Sequence, residues 1–326
     1  MAGSGWTASN SRAFGGPAAA GRAQFDSSSV SLSAWLTLSD LGFPTATGND
    51  CWGYVSPSGR EYALMGTSQA TVVVEVTNPS APVIIGSVTG QNSLWRDIKT
   101  FGTRAYSVTE NGGGIQVIDL SQVDSGVVTL ENTITGQGTD ETHNVAIDEE
   151  SGFLYRIGGA NNGLRIYSLA NPGNPTFVGQ YTARYVHDAQ IVTYTSGPFA
   201  GRQIAFCCAG LNGGFDDTGL TILDVTNKSN ITTLSQVSYP ARAFSHQGWL
   251  SEDRNFFYLG DELDEGNTVS VTSTHVFSGP AATPTEPALS PRTIVRLWAP
   301  SAGSPARLLW VRASVRMTWT EDRRLF

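Results

Sequence analysis

Leu220-Thr221-Ile222-Leu223-Asp224-Val225-Thr226-Asn227 reads as an apolar strand that runs straight into a polar turn. Related text occurs three times upstream, as Thr71-Val72-Val73-Val74-Glu75-Val76-Thr77-Asn78-Pro79, Ile115-Gln116-Val117-Ile118-Asp119-Leu120-Ser121 and Leu164-Arg165-Ile166-Tyr167-Ser168-Leu169-Ala170-Asn171-Pro172. With Val76, Leu120, Leu169 and Val225 taken as equivalent, the units stand 44, 49 and 56 residues apart. Thr274-His275-Val276-Phe277 begins the same text once more. β-Branched residues in short alternating runs favour strands, and the Asn, Asp, Ser and Pro that follow favour turns. No segment of about 12 residues or more carries a 3.6-residue period. Each unit continues through a Pro- or Ser-rich turn into a further strand, as in Ala81-Pro82-Val83-Ile84-Ile85-Gly86 and Asn174-Pro175-Thr176-Phe177-Val178-Gly179.

A second recurring unit precedes the first. It reads Asn49-Asp50-Cys51-Trp52, Arg96-Asp97-Ile98-Lys99, His143-Asn144-Val145-Ala146, His187-Asp188-Ala189-Gln190 and His246-Gln247-Gly248-Trp249. Five repeats of about four strands, with a period in the forties, predict an all-β fold: a β-propeller with five recognisable blades. The rival β-solenoid uses much shorter repeats. Residues 29–277 hold the repeats. Residues 1–28, rich in Gly, Ala and Ser, read as a disordered tail. Residues 30–43 read as a strand that completes the last blade and closes the ring. From Ser278 to Phe326 the repeat stops and Pro, Ala and Arg rise. That segment is open to two readings, a native tail or an altered reading frame.

The 36 glycines suit many tight turns, and 40% apolar against 15% charged residues allows a sizeable core. The net charge of -8 is uneven: residues 1–277 hold 13 basic and 25 acidic side chains, whereas 278–326 hold seven Arg against three acids. The acidic body argues against nucleic-acid binding, which needs a basic surface. No apolar stretch reaches the roughly 18 residues of a transmembrane helix. Cys51, Cys207 and Cys208 are too few for a disulfide scaffold, and Cys51 is expected to be a small buried residue. The sequons at Asn227 and Asn230 hint weakly at secretion, and no export signal is visible at the N-terminus.

These motifs resemble the LVIVD-repeat proteins and in particular the group called choice-of-anchor B. The resemblance rests on Ser93-Leu94-Trp95-Arg96-Asp97-Ile98-Lys99, Thr142-His143-Asn144-Val145-Ala146-Ile147, Val186-His187-Asp188-Ala189-Gln190, Ser245-His246-Gln247-Gly248-Trp249-Leu250 and Gly260-Asp261-Glu262-Leu263-Asp264-Glu265. It implies a β-propeller, usually exported and tied to the cell surface by varied C-terminal anchors, with no established catalytic activity. Members usually continue through a further blade where this chain loses the pattern after Phe277.

In a propeller the innermost strands line the centre, so the recurring polar pair brings Asn49, Arg96, His143, His187 and His246 to one register and Asp50, Asp97, Asn144, Asp188 and Gln247 to the next. His143, His187 and His246 are three of the chain's four histidines. They could hold a divalent or other transition metal, with Asp188 in support and an open position for water. The other reading is hydrogen bonding from blade to blade, which Asn49 and Arg96, poor metal ligands, favour. Strand alternation sends the two registers to opposite sides, so only one is expected at the centre.

Asp261, Glu262, Asp264 and Glu265 could ligate calcium, although a solvated acidic turn is the simpler reading. Gly112-Gly113-Gly114 lacks the Lys-Ser of a phosphate loop and reads as a wide turn. Trp52, Trp95 and Trp249 pack between blades or line a carbohydrate rim. Two functions follow as expectations: a non-enzymatic, extracellular or cell-surface binding module for an unknown protein or carbohydrate ligand, or a metal-dependent enzyme built on the histidines.

Overall fold

A computed structural model describes residues 32–138, 140–159, 163–210, 217–239 and 242–263, together with the backbone of 274–278. The first blade comprises β1 (Gly48–Val55), β2 (Glu61–Thr67), β3 (Ala70–Glu75) and β4 (Val83–Thr89). The second comprises β5 (Arg96–Phe101), β6 (Arg104–Thr109), β7 (Ile115–Asp119) and β8 (Thr129–Ile134). The third comprises β9 (Asn144–Asp148), β10 (Phe153–Ile157), β11 (Leu164–Ser168) and β12 (Thr176–Tyr181). The fourth comprises β13 (Asp188–Thr193), β14 (Gln203–Ala209), β15 (Gly219–Asp224) and β16 (Thr232–Val237). The fifth holds β17 (Ser245–Leu250), β18 (Phe256–Asp261) and β19 (Thr274–Ser278). Each blade is an antiparallel meander, four-stranded in the first four and three-stranded among the described residues of the fifth. This is the predicted β-propeller.

The repeated apolar text is the third strand, β3, β7, β11 and β15. Its polar end is a turn made by the side chain itself: Asp119 Oδ1 accepts Ser121 N–H at 2.8 Å, and Asp224 Oδ1 accepts Thr226 N–H at 3.0 Å. Where this strand meets the outermost one, the register slips at one repeat position in four blades: Val73/Val74, Val117/Ile118, Ile166/Tyr167 and Ile222/Leu223. A bulge adds local twist, and here it does so once per blade.

The core is a series of layers between sheets. Leu64, Val73, Ile98 and Ile118 fill the seam between the first two blades. Val117, Val145, Leu154 and Tyr167 fill the next. Tyr155, Ile166, Ala205 and Leu223 fill the third seam, and Phe206, Leu220, Phe257 and Leu259 the fourth. A third strand therefore buries both faces, which is why Val72, Val73 and Val74 can all be apolar. Each such side chain contributes about 1.5–3 kcal/mol by leaving water.

Two expectations are corrected. Residues 32–43 form no strand; they coil and turn, and Leu36, Leu38, Leu41 and Phe43 cover the outer face of the first blade against Met65, Val72 and Val74. Thr37 and Asp40 close that turn, with Asp40 Oδ2 accepting both the Thr37 N–H and the Thr37 hydroxyl. Cys51 is exposed, unlike the buried Cys207 and Cys208. Inner strands pack in the order β1, β5, β9, β13, β17, and no comparable packing joins β17 to β1 among the described residues. Among the described residues nothing covers Cys51 on β1. The expected tail at 1–28 and the segment at 278–326 fall outside the described side chains.

Gly179 in β12 faces the fourth blade so closely that an added Cβ would lie 2.0 Å from the Lys228 carbonyl oxygen. Gly179→Ala must push the third and fourth blades apart. The expected loss is about 1–3 kcal/mol, read from the urea midpoint of unfolding, and an unchanged midpoint would show that this seam is slack.

Candidate functional site

The inner strands begin at one rim of the fold. Immediately before β9 and β13, and at the second residue of β17, stand His143, His187 and His246. Their rings form a ladder, with centroids 4.2 Å apart between His143 and His187 and 4.5 Å between His187 and His246. Trp95 lies edge-on to His143 at 6.1 Å, and Phe244 stands perpendicular to His187 at 5.1 Å. The three histidines are therefore brought together as the register predicted.

Their nitrogens are partly committed. His187 Nδ1 lies 3.0 Å from the His246 carbonyl oxygen, and because a carbonyl only accepts, Nδ1 carries the proton. His143 Nδ1 lies 2.5 Å from Glu110 Oε1, and His246 Nε2 lies 3.7 Å from Glu262 Oε2. Among the described residues no group of three His, Cys, Asp or Glu side chains is arranged to hold a metal ion.

Arg96 does not join the ladder although it shares the register. Its side chain turns into the fold, 1% exposed, donating from Nε to Thr67 O at 2.8 Å and from Nη2 to Gln91 O at 2.8 Å. Asn49 Oδ1 accepts the Arg96 N–H at 2.7 Å. That bond is one of a set. Asp97 Oδ2 accepts Val145 N–H at 2.7 Å, Asn144 Nδ2 donates to His187 O at 2.9 Å, and His187 Nδ1 donates to His246 O. At each seam a side chain of the polar pair reaches the main chain of the next inner strand. The pair thus does the blade-to-blade work.

The second register gathers around a residue that the pair alone did not indicate. Lys99 Nζ lies 2.6 Å from Asp97 Oδ1 and 3.6 Å from Asp50 Oδ2, and over the Trp52 ring at 4.4 Å. Lys99 follows Asp97 by two on β5, so strand alternation places both on one face. Burial opposes its charge, but Asp97 and Asp50 raise its pKa. Burial, then the hydrogen bond and charge of Asp97, lifts Asp50 to about 8, although its side chain keeps 43% of its exposure. Burial, with the charge of Asp97, lifts Asp188 to about 6 against the pull of Lys99. Both registers therefore assemble, the rings at the rim and the carboxylates around Lys99. Gln247 is exposed on β17 and joins neither group.

Asp261 is not open to calcium. Its two oxygens accept the Tyr239 hydroxyl at 2.6 Å and the N–H groups of Ala243, Phe244 and Leu263 at 2.8, 2.8 and 3.1 Å. Four donors occupy the lone pairs of a carboxylate. The residue fixes the loop that presents Phe244 and His246. Glu262 faces His246, while Asp264 and Glu265 lie outside the described residues. Trp52 packs in the first seam, whereas Trp95 and Trp249 are exposed. Glu110 and Phe244 were not singled out by the sequence. Phe244 sits two residues before His246, and Glu110 comes from a separate loop with no recurring text.

Comparison with known proteins agrees with this geometry at the level of the fold. The family described as "LVIVD repeat" matches residues 61–90 and 214–238, so the chain carries LVIVD repeats in its first and fourth blades. No curated protein matches the chain in sequence. Among solved structures, the periplasmic gluconolactonase of Pseudomonas aeruginosa aligns with a TM-score of 0.53 at 10% identity, over 71% of this chain and 66% of that one. A candidate 6-phosphogluconolactonase of Bacteroides uniformis aligns with a TM-score of 0.52 at 12% identity, over 75% and 69%. The chain thus spans about two thirds of the length of these structures, and the likeness is one of fold alone. No helix among the described residues is long and apolar enough to cross a membrane.

His187 supplies a pH test. Burial first, and then the charges of His143 and His246, lower its pKa to about 2. In the unfolded chain it takes up a proton near pH 6.5, whereas in the fold it stays neutral. Its contribution is therefore complete above about pH 6.5 and is lost as pH falls below that, by at most about 1.4 kcal/mol per pH unit. Asp188 and Asp50, with raised pKa values, act in the opposite sense as pH rises. The test is therefore a difference: wild type minus His187→Asn, by urea unfolding at pH 7, 6, 5 and 4. The difference should grow against the wild type below about pH 6.5; a constant difference would mean that His187 titrates normally.

Proposed function

We propose that this chain is a non-enzymatic binding module whose ligand surface is the rim built by Trp95, His143 and His246, with Glu110 and Glu262 at its edges. One observation carries the reading. The imidazoles are stacked ring on ring at 4.2 and 4.5 Å, with two Nδ1 atoms already committed to Glu110 and to a main-chain carbonyl. That arrangement presents ring faces and edges, and does not point lone pairs at one centre. Trp95, 40% exposed, extends the ladder outward. Aromatic faces flanked by carboxylates and ring N–H groups suit a polyhydroxylated ligand, because sugar C–H faces stack on rings while hydroxyls donate to carboxylates. A saccharide is therefore the ligand class that we propose. On the resemblance to choice-of-anchor B proteins, we further propose that the module works outside the cell. The exposed sequon residues Asn227 and Asn230 are compatible with that location.

The closeness of the three rings favours one second reading, a metal held by His143, His187 and His246. A single preparation separates the two. Wild type, Trp95→Ala and the triple His→Ala variant are assayed on an oligosaccharide array and for metal content by mass spectrometry. The binding reading expects a saccharide signal that Trp95→Ala weakens about tenfold, as expected for a lost ring contact of about 1.4 kcal/mol. Near-stoichiometric metal, absent from the triple variant, would instead establish the metal site. A saccharide signal that Trp95→Ala leaves intact would move the ligand away from this rim.

A further inference from the structure

A cavity of about 380 Å³ opens between the first and second blades, a size that suits a small ligand. Thr89, Gln91, Ser107, Thr109, Gln116 and Thr133 give it side chains, and glycines supply the rest of the lining. Among the described residues no charged, aliphatic or aromatic side chain lines it. Arg96, close by, is 1% exposed and spends its guanidinium on Thr67 O, Gln91 O, Gln116 Oε1 and Ser107 Oγ. The cavity is therefore polar and uncharged, a poor fit for an ion or an apolar body.

Its lining keeps hydrogen-bonding capacity to spare. Gln116 Nε2 donates to Thr89 O at 2.9 Å and retains a second N–H. The Gln91 amide and the Thr133 hydroxyl, both on exposed residues, make no side-chain hydrogen bond among the described residues. Gly113 leaves room for Gln91: a Cβ there would lie 3.0 Å from Gln91 Cγ, and its φ of 85° favours glycine. Amides and hydroxyls both donate and accept, which is what a sugar hydroxyl asks of a partner.

The cavity and the aromatic rim share their walls. Gln91 lines the cavity, and four residues on stands Trp95 of the rim, at most about 14 Å along the chain. Thr109 lines the cavity, and the next residue is Glu110, which holds His143. Between the two sites these segments are tied together, with Asn111 Nδ2 donating to Asn92 O at 2.6 Å. Trp95 and Glu110 both meet the His143 ring, so the rim begins where the cavity ends.

We propose that this cavity is a second subsite of the saccharide surface: one sugar unit stacks on Trp95, and the following units of the same uncharged chain enter the cavity, where their hydroxyls meet Gln91, Gln116 and Thr133. The proposal rests on the rim reading above and adds two properties to it, a ligand of at least two units and one without charge. A uronate or sulfate would find no cation in the cavity and would face Glu110 at the rim.

The test is a glycan array carrying neutral, uronate-containing and sulfated chains from a single unit upward, read with the whole chain as a concentration series. Wild type is expected to bind neutral chains of two or more units more tightly than single sugars. The double variant Gln91→Ala, Thr133→Val should weaken the longer chains about tenfold and leave single sugars unchanged, whereas Trp95→Ala should weaken every length. An unchanged urea midpoint for the double variant establishes that its fold is intact. A signal that depends on Trp95 but neither grows with length nor responds to the double variant overturns the second subsite and leaves the rim in place. A preference for uronate or sulfated chains also overturns it. No saccharide signal from wild type overturns both readings.

Discussion

The bond from an inner-strand side chain to the main chain of the next inner strand is the constraint on which the rest depends. Apolar layers supply most of the burial between blades, but apolar contacts are non-directional and would let neighbouring sheets slide. Asn49 on Arg96, Asp97 on Val145, Asn144 on His187 and His187 on His246 fix the angle and height of each sheet against the next. Further out, Gln190 Oε1 holds Leu250 N–H at 2.7 Å, and Gln203 joins Asp148 and Tyr155 at 2.6 Å. Where these bonds converge, the histidine ladder follows: in bonding the His246 carbonyl, His187 sets its ring between those of its neighbours.

The same seams explain the electrostatics. Packing sheets face to face takes Arg96, Asp97 and His187 out of water and half-buries Asp188. Each then finds a different solution. Asp97 takes Lys99 and two main-chain N–H groups, His187 stays neutral on a carbonyl, Asp188 holds its proton more tightly, and Arg96 gathers neutral oxygens. Only the last keeps a full charge among neutral groups, which separates Arg96 in kind from the histidines even though they share one register.

How much of this could be read in the residues varies with how local the cause is. The Asp224-Val225-Thr226 turn and the apolar third strands are local, so their text recurs and the blades were legible. The His143, His187 and His246 register was legible for the same reason, since equivalent positions in a repeat meet around its axis. The segment at 30–43 misled because Leu36, Leu38, Leu41 and Phe43 are apolar for a different purpose: they cover a sheet and do not extend one. Cys51 misled because, among the described residues, β17 does not pack on β1 as the other inner strands pack on one another. Glu110 on His143 depends on which loops meet across a seam. A single blade's text carries no mark of that.

Each of the four bonds between successive inner strands joins one side chain to one main-chain group. The main-chain partner is present whatever residue follows, so the junction is specified by the earlier blade and merely accepted by the later one. Two blades therefore need not change in concert to stay in contact. A blade can be copied, lengthened or replaced while its predecessor's Asn or Asp still finds an N–H or a C=O to hold. This gives a physical reason why the repeats here stand 44, 49 and 56 residues apart and share so few identities, yet stack in unbroken order. It is a joint that tolerates divergence, and it leaves first-position residues such as Arg96 and His143 free to drift towards separate tasks.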